Sequence, residues 1–294
     1  GSTMAMAYYL RQFGKKATVI FPNAYPDFFN WIPGIKDTIV FETQPEAATQ
    51  LIRESDLHIC LDYNQMSRIS AVRPIVEAHK TPRIVIDHHL GSEIEADFTL
   101  SDPNAAATCQ LVFMLIKELS GVEVIDRQLA EYLLIGITTD TGNTAFSAND
   151  PQLYYVIGDL VATGIDKTAL YNRLFHTYTA DRFKLMSHLM SKMEILPDGK
   201  TALVVLTQAD MRKYNYRNGD SEGFVNMPLQ ITKITRSIFV REEKGQVNVS
   251  LRSEGDVPVN KIAELFGGGG HKNAAGCEFD VPLKEAVERL KRVL

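Results

Sequence analysis

Nothing in the 294 residues approaches the ~20 consecutive apolar positions that a membrane-crossing helix needs. No charged-then-apolar leader opens the chain, so a cytoplasmic protein is expected. Cysteine is scarce. Cys60, Cys109 and Cys277 are odd in number and far apart, with no Cys-x-x-Cys spacing, which excludes a disulfide framework and a structural zinc site and predicts small buried hydrophobes. Positive charge is not in excess: 31 basic residues against 36 acidic leave a net charge of -5, which argues against a protein that coats long duplex DNA through many phosphate contacts. A short anionic substrate in a locally basic pocket stays compatible with that balance. Internal repeats are absent, and so are low-complexity tracts apart from one glycine run.

What is present is organised around Arg83-Ile84-Val85-Ile86-Asp87-His88-His89. A β-branched apolar run after Thr81-Pro82 reads as a buried strand of a parallel sheet, covered on both faces. Its polar triplet then lies beyond the carboxyl end, where open α/β sheets bind ligands. Two adjacent imidazoles need partners for four ring nitrogens. Metal coordination supplies one kind of partner, and backbone carbonyls at a strand end supply the other.

The same pattern recurs at Leu57-His58-Ile59-Cys60-Leu61, which ends on Asp62, with His58 expected as a satisfied structural histidine. Further strands are predicted over 17–21, 38–41 and 97–100. Helices are predicted over 1–13, 46–54, 69–79, from an Asp102-Pro103-Asn104 cap through 119, and over 127–139, 151–163 and 167–175. Asp140 follows the helix at 127–139, and Gly142 permits a sharp turn just after it. From Pro197-Asp198-Gly199-Lys200 onward strand signals dominate, over 201–207, part of 231–240 and 246–252. Helices at 260–266 and from 283 to the end complete the reading. The fold class is therefore α/β: a doubly wound, mostly parallel sheet domain over 1–177, a helical linker over 178–195, and a smaller α+β domain over 196–294.

Asp62, the Asp87-His88-His89 triplet and Asp140 are separated by whole α/β units, which lay their strand ends side by side and can bring these residues into one crevice. A mixed carboxylate and imidazole set suits a borderline divalent ion such as Mn(II) better than Mg(II). A carboxylate shared by two ions would clamp the oxygens of an in-line phosphoryl displacement. Three unrelated turn aspartates are the bland alternative. In the back half, Gly267-Gly268-Gly269-Gly270-His271 offers bare amides that can wrap an anion, and Arg252 a bidentate phosphate contact. The bland alternative there is a flexible linker. Lys233, Arg236 and Arg241 read as a solvated strand face rather than a basic track.

Asp87-His88-His89 together with Gly267-Gly268-Gly269-Gly270-His271 resembles the DHH phosphoesterase family with its DHH-associated C-terminal domain, most closely the bacterial oligoribonuclease (nanoRNase) and pAp-phosphatase type. The resemblance spans essentially the whole sequence. It implies two domains facing each other across a cleft, the first with two Mn(II) ions and the second gripping the substrate. By resemblance Asp62 is the bridging aspartate, His88 and Asp140 are metal ligands, and His89 faces the scissile phosphate. Asp87 is expected behind the ligand His88. Arg252, Ser253, Gly268, Gly269, Gly270 and His271 match the segment that holds a terminal nucleotide or its phosphate.

One departure bears on the chemistry. The family's first motif, a His and two Asp, directly precedes a Gly-Ser-helix segment, and this sequence starts at such a Gly-Ser. Three ligands are then missing, and we expect that the natural protein carries them. The resemblance implies a manganese-dependent phosphodiesterase that degrades short oligoribonucleotides to mononucleotides and dephosphorylates 3′-phosphoadenosine 5′-phosphate. Cyclic-dinucleotide hydrolysis and exopolyphosphatase action are the sister activities, a catalytically impaired nucleotide-binding module is the alternative of another class, and a homodimer is left open.

Overall fold

The computed structural model describes residues 1–146, 148–176 and 178–294, with Ser70 described by its backbone alone. The chain divides into two compact units, Gly1–Thr177 and Tyr178–Leu294.

The first unit runs α1 (Ser2–Gln12), β1 (Ile20–Phe21), β2 (Ile39–Val40), α2 (Pro45–Glu54), β3 (His58–Leu61), α3 (Arg73–Ala78), β4 (Arg83–Asp87), β5 (Phe98–Ser101), α4 (Thr108–Ser120), α5 (Arg127–Asp140), α6 (Pro151–Ala162) and α7 (Lys167–Phe175). Strands β3, β4 and β5 form a parallel sheet in sequence order, and β1 and β2 form a separate parallel pair. Alternation along β4 sends Val85 to one face, against Cys60 and Ile94, and Ile86 to the other, against Leu61 and the core of α4 and α5. Both side chains are fully buried, as a parallel sheet covered on two faces requires.

Two boundaries depart from the sequence expectation. Helix α4 starts at Thr108, not at Asp102, because Asp102 Oδ1 is taken by the backbone and side-chain nitrogens of Asn104 in a local turn. Residues 66–72 form a 3-10 segment, so α3 begins only at Arg73, with a proline in its first turn.

The second unit runs α8 (Ala180–Ser191), β6 (Glu194–Ile195), β7 (Thr201–Leu206), α9 (Gln208–Lys213), β8 (Arg236–Glu242), β9 (Val247–Ser253), α10 (Asn260–Glu264), β10 (Gly269–His271), β11 (Ala274–Phe279) and α11 (Leu283–Val293). Its six-stranded sheet has the order β10-β11-β9-β8-β7-β6, antiparallel except for the β7–β8 pair. Val259, Ala263, Ala286 and Leu290 of the α10 and α11 region cover one face, packing on Ile238, Val249 and Leu251. On the other face α8 contributes Leu185 and Leu189, which join Phe224, Val204 and Phe239. Helix α8 thus packs as part of this unit.

Helix α9 has no counterpart in the sequence reading, although its signal was present. Thr207 and Asp210 form a reciprocal capping box, the Thr-x-x-Asp variant of a familiar helix start. Arg241 is half-buried and paired with Glu243 at 2.6 Å, so the β8 face is less solvated than its charges suggest. All three cysteines are unpaired and buried. Among the described residues no helix is long and apolar enough to cross a membrane.

Candidate active site

Period-two alternation at the end of β4 decides which neighbour each polar side chain meets. Asp87 and His89 share a side, and Asp87 Oδ1 accepts a hydrogen bond from His89 Nδ1 at 2.7 Å. His88 turns the opposite way, toward α4 and α5. Its Nδ1 donates to the Ala105 carbonyl at 3.1 Å, and its Nε2 lies 3.2 Å from Asp140 Oδ2 and 3.8 Å from Asp62 Oδ1. The expectation that Asp87 stands behind His88 is therefore corrected. Asp87 orients His89, and a backbone carbonyl orients His88.

The Ala105 carbonyl is itself held in place. Gln110 Oε1 accepts from the Ala106 amide at 2.9 Å, while Gln110 Nε2 donates to Asp150 at the start of α6 at 2.8 Å. Asp62 continues the β3–β4 ladder through its amide to the Ile86 carbonyl, then leaves the strand in the left-handed region at φ +70°. That conformation is uncommon for a residue with a Cβ, though aspartate tolerates it better than most. Asn64 ties the same loop to the segment after the histidines, donating to the Leu90 carbonyl at 2.7 Å. Asp140 ends α5, and the chain beyond it turns through Gly142, Asn143 and Thr144, all with positive φ. Lys167 of α7 braces that turn by donating to Asn143 Oδ1 at 2.9 Å.

Charge in this cluster is out of balance. Burial pushes the Asp140 carboxyl up to about 6, the nearby Asp62 charge pushes the same way, and His88 opposes both. Burial also opposes ionisation of fully buried Asp87, but its hydrogen bond and attraction to His89 win and hold it below the usual carboxylate range. The same hydrogen bond raises His89. The second oxygen of Asp87 is buried with no hydrogen-bond partner among the described residues. Ligand atoms of Asp62, Asp87 and His89 lie within 4.8 Å of one another. Asp62 thus belongs to two groups, one with His88 and Asp140, the other with Asp87 and His89. An orphaned buried carboxylate oxygen, and a ring nitrogen whose tautomer is set by a carbonyl and which faces two carboxylates, fit a divalent cation.

In the second unit, ladder register places Gly269, Gly276 and Ser250 in one row and His271, Ala274 and Arg252 in the next, all on one face of the sheet. Burial works against the Arg252 charge, and the Glu222 charge opposes that only in part. Its guanidinium donates to the Leu251 carbonyl at 2.9 Å. Ser253 is buried, with its hydroxyl donated to the Val257 carbonyl and receiving Asn273 Nδ2 at 2.9 Å, so it braces the loop after β9.

The four glycines are not equivalent. Gly267 needs its φ of +75°, a Cβ on Gly268 would lie 2.1 Å from the Gly276 carbonyl oxygen, and a Cβ on Gly270 would lie 2.4 Å from that of Ala274. Gly269 meets neither demand: its φ is ordinary and the space over it is open within 4 Å.

Sequence reasoning did not single out Thr108, Asn64, Gln110 or the Ala105 carbonyl. These contacts span up to 46 positions, and no local pattern announces them.

The DHH family N-terminal domain matches residues 1–137, and the DHHA1 domain matches residues 199–294. The bifunctional oligoribonuclease and PAP phosphatase NrnA of Thermus thermophilus is 31% identical over 292 residues, covering 99% of this chain and 83% of that protein. The cyclic-di-AMP phosphodiesterase GdpP of Geobacillus thermodenitrificans is 28% identical over 85% of this chain, but the match covers only 37% of that longer protein. Among solved structures, an exopolyphosphatase-related protein from Bacteroides fragilis superposes with a TM-score of 0.92 at 39% identity, covering 99% of this chain and 87% of that one. On these matches the chain belongs to the DHH family of metal-dependent phosphoesterases, with a DHHA1 domain as its second part.

Proposed function

We propose that this phosphoesterase is a manganese-dependent phosphodiesterase that hydrolyses short oligoribonucleotides to mononucleotides, and that it also removes phosphate from 3′-phosphoadenosine 5′-phosphate. The observation that carries the reading is the convergence of Asp62, His88 and Asp140 beside the Asp87–His89 pair. Full-length similarity to a bifunctional oligoribonuclease and PAP phosphatase supports this choice of substrate within the family.

Asp62, His88 and Asp140 would hold the divalent cations. When bound, the ions activate water and offset charge on the transferring phosphoryl group. The protein's own side chains do the rest. Asp87 keeps the His89 ring in one orientation and favours its protonated form, so that His89 can give a proton to the leaving oxygen or stabilise the charge that develops on phosphorus. In the second unit Arg252 grips a terminal phosphate by two parallel hydrogen bonds, His271 adds a donor, and the open face at Gly269 lets a flat ring approach the backbone. The absence of a basic excess suits a substrate with few phosphates.

Turnover with Mn(II) on dinucleotide and trinucleotide RNA, 3′-phosphoadenosine 5′-phosphate, a cyclic dinucleotide and polyphosphate tests the proposal. Mononucleotides from the short RNAs, together with phosphate from the bisphosphate, are expected. Phosphate released from polyphosphate alone, or cleavage of the cyclic dinucleotide alone, would overturn it.

A further inference from the structure

Asp62 has to keep one orientation to serve two groups, yet its side chain is half-exposed. A contact that orients it comes from α4. Thr108 is 2% exposed and donates its hydroxyl to Asp62 Oδ1 at 2.8 Å, across 46 positions of sequence. A threonine in the first turn of a helix often serves as a cap, but this one does not: the N-cap is Ala107, and no side chain caps the helix. The buried hydroxyl is aimed at one carboxylate oxygen, the same oxygen that lies 3.8 Å from His88 Nε2. Holding that oxygen on the His88 side leaves the second to turn elsewhere.

We propose that Thr108 is a positioning residue for the metal centre: its hydroxyl fixes Asp62 in the rotamer that divides the two carboxylate oxygens between two sides of the site, and thereby sets the affinity for Mn(II). This rests on Asp62 being a metal ligand. Hydrogen-bond partners that orient a ligand contribute about 10- to 100-fold in metal affinity, because the ligand no longer has to be ordered when the ion arrives.

The test is direct titration of the natural full-length protein with Mn(II), reading free metal by electron paramagnetic resonance, for the wild type, Thr108→Val, Thr108→Ser, Asp62→Asn and the Thr108→Val/Asp62→Asn pair. Thr108→Val is expected to weaken Mn(II) binding by about 10- to 100-fold and Thr108→Ser to stay within about threefold. The double variant should bind no worse than Asp62→Asn alone, since Thr108 acts only through Asp62. A Thr108→Val protein that melts earlier without metal but binds Mn(II) like the wild type would overturn the assignment and leave a purely structural threonine. Additive losses in the double variant would overturn it as well. A wild type that takes up no Mn(II) would instead refute the metal reading on which the assignment stands.

Discussion

His88 Nε2 lies 3.2 Å from Asp140 Oδ2, while the other nitrogen of the same ring donates to the Ala105 carbonyl. With Nδ1 committed to the backbone, Nε2 is the ring atom turned toward the carboxylate. A cation or a proton must occupy the contact.

The Asp140 carboxyl shows which of the two is present as pH changes. Because its value is raised to about 6, the folded chain binds this proton more tightly than the unfolded chain does. The associated stability is complete below the ordinary value of 3.8 and disappears as pH rises through about 6. Asp140→Asn should therefore be more stable than the metal-free wild type above that range and no more stable below about pH 4. At 41% side-chain exposure, solvent screening holds the difference to about 1 kcal/mol. Melting curves against pH in chelator would show the two temperatures diverging by roughly 2–4 °C; parallel curves would contradict this. Saturating Mn(II) should reverse the order by stabilising only the wild type.

In the Asp87–His89 pair the charged forms are favoured, and its two members titrate in opposite senses. His89 is raised, so its stabilising charge is present at low pH and lost as pH climbs through the raised value; Asp87 is lowered, so its share is lost only as pH falls through its depressed value. The pair is intact between those limits. His89→Ala should cost about 10²- to 10⁴-fold in kcat, as expected for loss of a general acid. Asp87→Asn keeps the shape and removes the charge, so the alkaline limb of its pH–rate profile should move to lower pH. An unshifted limb would separate Asp87 from the proton donor.

The glycine run gives a graded test. Gly268→Ala and Gly270→Ala force a Cβ into backbone and should unfold or badly destabilise the second unit. Gly269→Ala, with open space above it, should leave the melting temperature nearly unchanged and raise KM for a dinucleotide. If Gly269→Ala turned over dinucleotide like the wild type, the open face would not be where the substrate lies.

Arg252 separates charge from shape. Arg252→Lys keeps the charge but loses the planar fork, and Arg252→Ala loses both. Loss of a charge-assisted hydrogen bond of about 1.5–3 kcal/mol predicts KM for 3′-phosphoadenosine 5′-phosphate about 10- to 100-fold higher in Arg252→Ala, with Arg252→Lys closer to it than to the wild type. Equal KM values across the three would remove Arg252 from phosphate binding.

How much of this was legible in the sequence depends on the range of the interaction involved. Strand β4 and the acids at the ends of β3 and α5 could be placed because apolar runs and their termini are local patterns. The orientation of Asp87 was misjudged by resemblance, although alternation along an extended segment already placed Asp87 and His89 on one side. The start of α4 was misplaced because an Asp-Pro-Asn turn and a helix cap use the same residue types. The hydroxyl of Thr108 and the amide of Gln110 could not have been assigned, since their partners come from distant strands and helices.

Diffraction from crystals soaked in Mn(II), collected at the manganese absorption edge, tests the metal centre most directly. Anomalous density at bonding distance from Asp62, from His88 Nε2 and from Asp140, with Asp62 shared if a second peak is present, is the expected result. Manganese bound elsewhere, with His88 Nε2 still 3.2 Å from Asp140 and no density between them, would contradict it.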